Sequence, residues 1–328
     1  MPLFYLRGFA DQDKVATVRL PGEKRFVQSI RDASVLNNFY ALEGHQDGDD
    51  VIERALSEVE GAASSVIKQI VAGTWPLSYN DRMNLGYFIS LQAARVPTQR
   101  ETTNHLARQL FRMQVGINGK VGVRRRLEEQ GGVVTDELID EVWELATRPE
   151  GPPIERPVHE HIKQMLEMSE ELLKYMVGRP WSLVEFDRRS LLTSDAPVTL
   201  VKNPKDEEWR GVGFMTAWGI TFPLTRKLGL LMGNIEPVIE AGIEVERVHH
   251  GEVDMWQLGT TQMERFFNYG TIGSASEWIF HHPDDSRFVP DDLPEPNPVK
   301  MSMDPMEFDG EAWFSGARAA AKGATASE

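Results

Sequence analysis

The stretch DRMNLGYFISLQAARV, residues Asp81–Val96, decides how this sequence folds. At about 100° per residue, Leu85, Phe88, Ile89 and Val96 fall on one side of a helix, and Met83, Tyr87 and Leu91 fall opposite. A helix apolar on both sides is buried on more than one face, so this segment belongs near the centre of a domain. Pro97 ends it, because the residue before a proline is pushed out of the helical region. Thr98 and Glu101 then have the Thr-x-x-Glu spacing of a capping box, which restarts a helix through about Met113.

Upstream, Ile52, Leu56, Val59, Ala63, Val66, Ile67 and Ile70 share one helical face until Gly73 and Pro76 interrupt it. Before that, Val15 to Leu20 and Phe26 to Ile30 alternate with polar residues, which predicts a small β-rich start over residues 1–45. Downstream, a polar, Gly-containing connection (Gly116 to Gly132) leads to a helix from Asp136 to Ala146. A further amphipathic helix between Pro157 and Gly178 uses Ile162, Met165, Leu172 and Met176. From Trp181 the pattern is that of strands: Trp181–Phe186, Leu191–Thr193, Val198–Val201, Val212–Leu224, Leu228–Met232 and Ile243–Val248. A closing helix (Thr261–Tyr269) and a short strand (Trp278–Phe280) follow. The expectation is an α+β fold, a helical middle packed with a mainly antiparallel β-meander, in one domain over residues 1–288. Residues 289–328, rich in Pro and Asp and then in Ala and Gly, form a tail that cannot bury enough apolar surface to fold alone.

The chain has 328 residues with 41% hydrophobic content, enough for a large core, and no cysteine. Disulfides, thiolate nucleophiles and cysteine-ligated metals are thereby excluded. A divalent metal on His and carboxylate ligands stays open. The formal charge of −15 repels phosphate backbones and argues against nonspecific nucleic-acid binding. The one basic cluster, Arg124, Arg125 and Arg126 beside Lys120, reads as a solvated face or loop. No apolar run is long enough to span a membrane and no leader pattern opens the chain, so a cytoplasmic location is expected. Gly211-Val212-Gly213 and Gly229 lack any nucleotide-binding pattern.

Several segments together resemble a known family. These are Pro2 to Phe9, the Phe39-Tyr40 pair, Glu53 and Glu60, Gln92-x-x-Arg95-x-Pro97, Thr193-Ser194-Asp195-Ala196-Pro197-Val198, and Phe222-Pro223-Leu224-Thr225. In this order they resemble the bacterial and fungal family named domain of unknown function 4238, over most of the chain from Pro2 to about Phe280. Family members usually carry a His-Tyr pair just before the equivalent of Pro2, where this chain has Met1, and frequently Ser-Asp-Asn-Pro where this chain has Ser194-Asp195-Ala196-Pro197. The family has no established activity, so the resemblance implies one homologous domain and no mechanism.

Polar residues stand where the helical pattern calls for apolar ones. Glu60 lies between Leu56 and Ile67 on the flank of its helix's apolar stripe. Gln92 falls near the middle of the next helix's stripe, and Arg95 points beside Phe88. Buried polar groups need partners, since each unsatisfied one costs about 1–3 kcal/mol. The economical partner for Arg95 is Glu60, or else Asp195 in the turn before Pro197. Two readings follow. One is a structural ion-pair network completed by Gln92. The other is a site in which Glu60 and Asp195 serve as acid, base or metal ligands, Arg95 binds an anionic group, and Gln92 orients substrate or water.

Other motifs carry less. His159 and His161, expected at the surface near a helix N-terminus, and the pairs His249-His250 and His281-His282 lack the spacing that puts two rings on one helical face. Asp47-Gly48-Asp49-Asp50 lacks the later ligands of a calcium loop, and Asp49 or Asp50 fits better as a helix cap. Ser194 has no identifiable base and fits a turn. Two functions from different classes stay open. One is an intracellular hydrolase acting on an anionic or phosphate-bearing substrate through Glu60, Gln92, Arg95 and Asp195. The other is a noncatalytic interaction protein, in a mobile-element or host-defence setting, with a protein partner held through the C-terminal tail by Trp313 and Phe314.

Overall fold

The computed structural model describes residues 1–34, 51–129, 131, 134–148, 158–207 and 211–296. The early elements are α1 (Leu3–Leu6), a 3₁₀ turn (Arg7–Phe9), β1 (Lys14–Arg19), β2 (Lys24–Ser29) and α2 (Ile30–Ser34). The helical middle is α3 (Val51–Val71), α4 (Tyr79–Ala94), α5 (Pro97–Glu129), α6 (Asp136–Thr147) and α7 (Val158–Val177). Then follow β3 (Trp181–Glu185), β4 (Thr193–Ser194), β5 (Thr199–Val201), β6 (Gly219–Pro223) and β7 (Leu228–Met232). The last are α8 (Glu236–Glu240), α9 (Val245–His249), β8 (Met255–Leu258), α10 (Thr261–Ser274), β9 (Trp278–His281) and a 3₁₀ turn (Pro283–Phe288). The fold is α+β, as the sequence predicts. Phe39-Tyr40, the Asp47–Asp50 run and residues 297–328 lie outside the described residues.

Two compact units are distinguished, one of Met1–Pro97 with Val158–Pro298 and one that includes Thr98–Pro157. The first holds both sheets. A four-stranded sheet has the order β2-β1-β9-β4 and is antiparallel throughout. A five-stranded sheet has the order β5-β6-β7-β3-β8, with β8 the one parallel partner, on β3. The expected meander is therefore present as β5-β6-β7, while the rest of the strands are divided between two sheets.

The core of this unit follows from the helical patterns. Ala63, Val66 and Ile70 of α3 and Leu85, Phe88 and Ile89 of α4 share one buried cluster with Trp181, Phe222 and Leu230 of the five-stranded sheet. α4 is buried on two sides, as its sequence predicts. Leu91 and Ala94 join Leu56 and Met165 in a separate cluster with α3 and α7. Gly86 permits the close α4–α7 approach, since a Cβ there would stand 2.7 Å from Val177 Cγ1. Val289 and Leu293, expected in the tail, are buried with Ile272 and Ile279.

The second unit is built on α5 and α6, which bury Val115, Val123, Ile139 and Ala146 together. Here the expected connection from Gly116 to Gly132 is instead helix as far as Glu129, broken at Gly119, whose φ of +60° suits a residue without a side chain. Arg124 pairs with Asp136 and Lys120 with Asp140, so half of the basic cluster is used to tie α5 to α6.

Three further expectations are corrected. Ile243–Val248 is not a strand, because Val245–His249 forms α9. Val212–Leu224 is strand only from Gly219, since Thr216 and Ala217 N–H groups bond the Gly213 carbonyl in a turn. The β-rich start holds two strands, flanked by helical turns at Leu3–Phe9 and Ile30–Ser34.

Candidate functional site

Three of the segments singled out in the sequence converge on Tyr5. Its buried hydroxyl donates to the Pro223 carbonyl at 2.6 Å and shares a hydrogen bond with Thr193 Oγ1 at 2.8 Å. The Arg226 N–H reaches the Gly8 carbonyl at 2.9 Å. A Cβ on Gly8 would lie 3.3 Å from Thr225 Cα, so the Arg7–Phe9 turn and the Phe222–Thr225 corner are in close contact. Burial pushes the Tyr5 hydroxyl well above the usual phenol range, so it stays a protonated donor.

The second helix enters from the other side. Phe88 packs its ring 5.3 Å from Phe4 and 6.3 Å from Tyr5. Gln92 follows one turn later on the same face, because side chains four residues apart stack along a helix. It is 1% exposed, and among the described residues neither polar atom of its side-chain amide has a hydrogen-bond partner. Arg95 caps the C-terminus of α4, a position where the helix dipole favours a cation. Its Nη1 donates to Glu60 Oε1 at 3.1 Å, with side chains 11% and 27% exposed. Of the two partners open to Arg95, the structure records Glu60.

Asp195 is placed differently. Its Oδ1 accepts from the Ser276 N–H at 2.8 Å, and its Oδ2 from the Glu277 and Trp278 N–H groups at 2.9 and 3.1 Å. Three backbone donors hold the carboxylate at the start of β9. Arg95, Glu60 and Asp195 each lie within electrostatic reach of the Met1 amino group. Burial, aided by Arg95, pushes that amino group down to about 5.

A family model described as "Protein of unknown function (DUF4238)" matches residues 1–285. The chain belongs to this family. No curated protein and no solved structure matches it significantly.

This DUF4238 protein also carries buried polar groups that the sequence reading passed over. Arg82 and Asp254 form an ion pair with both side chains 0% exposed. Arg82 also donates to the Val177 carbonyl at 3.2 Å and to the Arg179 carbonyl at 2.5 Å, and its guanidinium lies 4.0 Å from the Trp181 ring centroid. Asp254 Oδ1 accepts from the Trp181 N–H at 2.8 Å. Burial lowers Arg82 to about 10 and raises Asp254, each opposed by the other's charge. This pair fastens α4 to the start of β3. A signal existed: Arg82 is in register with Leu85 and Ile89, the same displacement that drew attention to Gln92. Asp254 stands in a turn with no periodicity to betray it.

Arg179 is held by four carbonyls, those of Tyr175, Gly233, Phe214 and Ala217. Glu264 is buried beside Asn268, whose Nδ2 donates to it at 2.6 Å, and burial raises its carboxyl above the ordinary range. The expectation of a surface His161 is corrected, since it is buried on α7, while the side chain of His159 lies outside the described residues. His281 and His282 are also buried, with His281 Nδ1 2.8 Å from the His282 carbonyl. Ser194 Oγ accepts from the Ala196 N–H, as a turn residue does. Among the described residues no group of three or more His, Asp or Glu side chains could hold a metal, and no helix is long and apolar enough to cross a membrane.

Proposed function

We propose that the C-terminal end of α4 is the substrate site of a hydrolase-type enzyme. Glu60 is its general base, Gln92 orients the substrate, and Arg95 holds Glu60 while facing the negative charge that develops during attack by water. The observation that carries this reading is the buried amide of Gln92, unpartnered among the described residues, three residues before Arg95 on α4, with Arg95 paired to Glu60. An orphaned amide costs about 1–3 kcal/mol, and a functional role is one of the reasons a fold keeps such a group. Asp195 then acts as a positioning residue, because three N–H groups already occupy its carboxylate. With Arg95 paired to Glu60, the anionic substrate suggested by Arg95 alone loses its main support.

The test is a hydrolysis screen of the purified chain on p-nitrophenyl esters, p-nitrophenyl phosphate and p-nitroanilides. Turnover lost in Glu60→Gln while the variant stays folded, as near-native circular dichroism and cooperative melting would report, supports the reading. Absence of turnover by the wild type, together with a Gln92→Met variant less stable than the wild type, overturns it.

A noncatalytic interaction protein is the second reading, favoured by β8. This strand ends its sheet and leaves Met255, Trp256 and Leu258 exposed, an apolar edge of the sort that accepts a further strand. If Trp256→Lys leaves the sedimentation behaviour and partner capture unchanged, that reading fails.

A further inference from the structure

The chemistry of Gln92 narrows what the site takes. A primary amide offers two N–H donors and one carbonyl acceptor side by side. In Gln92 both ends are buried and unused, so the ligand that completes it must present an acceptor next to a donor. A carboxylate or phosphate offers acceptors only and leaves Oε1 orphaned. An ammonium offers donors only and leaves Nε2 orphaned. A carboxamide, a ureide or the amide edge of a nucleobase satisfies both at once, by the geometry with which glutamine pairs to adenine.

Two independent observations agree with an uncharged ligand. The first is the local charge. Arg95 is already paired to Glu60, so an anion entering there would meet a guanidinium whose charge a carboxylate already balances. The second is the company Gln92 keeps along α4. Phe88, one turn earlier on the same face, packs with half-buried Phe4 at 5.3 Å, which places aromatic surface beside the amide. A flat, neutral amide attached to an apolar or aromatic body suits that setting.

We infer that this site binds a neutral carboxamide, held in a two-point hydrogen bond by Gln92, and hydrolyses it. This inference rests on the hydrolase reading above. In the step itself a water oxygen bonds to the amide carbon while the water's proton passes to the Glu60 carboxylate. Negative charge gathers on the former carbonyl oxygen, facing Arg95. Collapse breaks the C–N bond, the proton passes from the Glu60 carboxyl to the departing nitrogen, and the products are a carboxylic acid and an amine. No oxidant, reductant or further reactant is consumed.

The matched pair benzamide and benzoate tests it, since the two share a shape and differ in the donor and the charge. Calorimetric titration of the full chain is expected to show benzamide binding more tightly than benzoate. Binding of benzamide should weaken about tenfold to a hundredfold in both Gln92→Leu and Gln92→Met, the second keeping side-chain length should the first fold poorly. Glu60→Gln should retain benzamide binding while ammonia release from it stops. Benzoate binding as well as or better than benzamide overturns the amide assignment and leaves the hydrolase reading standing. If neither binds but Gln92→Met melts higher than the wild type, the amide assignment again falls, while Gln92 is still marked as a residue kept at the expense of stability. If neither binds and Gln92→Met melts lower, both the amide assignment and the hydrolase site are overturned.

Discussion

Arg95 Nη1 donates to Glu60 Oε1 at 3.1 Å and so joins the last turn of α4 to the middle of α3. The pair is screened only partly, with 11% and 27% of the two side chains exposed. Its coupling energy should accordingly lie between that of a surface pair and a sealed one, about 1–3 kcal/mol. A double-mutant cycle of Glu60→Gln and Arg95→Met, read by urea denaturation, measures it. A coupling near zero would mean that the two charges are held apart in solution.

The Arg82–Asp254 pair should matter far more for folding. Both side chains are sealed, so Asp254→Ala leaves a guanidinium in the core with its carboxylate gone. The expected loss is about 3–5 kcal/mol, a large fraction of the roughly 5–15 kcal/mol by which folded proteins are ordinarily stable. Chemical denaturation followed by tryptophan fluorescence reports it directly, because Trp181 lies against Arg82.

Asp195→Ala should loosen one local region. The Ser276, Glu277 and Trp278 N–H groups lose their acceptor together. A cost of about 3 kcal/mol is expected, since bonds to a charged acceptor are the stronger kind but do not add independently. Hydrogen exchange should speed up at these three amides and along β9 while α3 stays protected. Asp195→Asn, which keeps one acceptor oxygen, should recover part of the protection.

His281 should make stability fall on mild acidification. Burial lowers its pKa below the ordinary value of 6.5. The unfolded chain therefore binds a proton near that pH that the folded chain refuses, and stability decreases as pH drops from 6.5 through the folded value. Urea midpoints at pH 7.5 and 5.5 should differ more in the wild type than in His281→Gln. Equal differences would show that the ring titrates as freely in the fold as outside it.

Gly259→Ala should destabilise the turn between β8 and α10. An added Cβ would meet Phe186 ring carbons at 2.3 Å, and that ring is fixed in the core. Overpacking of this kind costs about 1–3 kcal/mol, against less than 1 kcal/mol recovered from a stiffer backbone. Thermal melting of the variant settles the sign.

The parts of the fold that were legible in the sequence are those with a strong period. α3, β3, β7 and α10 announce themselves through repeated apolar spacing. Ile243–Val248 misleads because its first four residues alternate apolar and charged, while Val245 and Val248, three apart, equally suit one helical turn. The β3–β8 parallel pairing leaves no trace in either strand alone, since β8 exposes most of its residues. In the candidate site, Glu60 and Arg95 could be paired because each is out of place on a regular helix. That Gln92 would be left without a partner was not legible, because hydrogen bonding depends on what the rest of the chain brings near. The Asp195 interaction was equally hidden, since its three partners are backbone groups with no side-chain signature.

The placement of β1 between β2 and β9 has a bearing on synthesis. Lys14–Arg19 can form a hairpin with Lys24–Ser29 as soon as both leave the ribosome, yet its other edge waits for Trp278–His281. Throughout translation of the helical middle that edge offers bare amides and carbonyls to any neighbouring nascent chain. Thr17 on β1 is already paired to Phe26 when Phe280 arrives to cover its other side, so the first strand made is among the last to be enclosed. A ribosome that stops short of β9 releases a polypeptide with an adhesive seam.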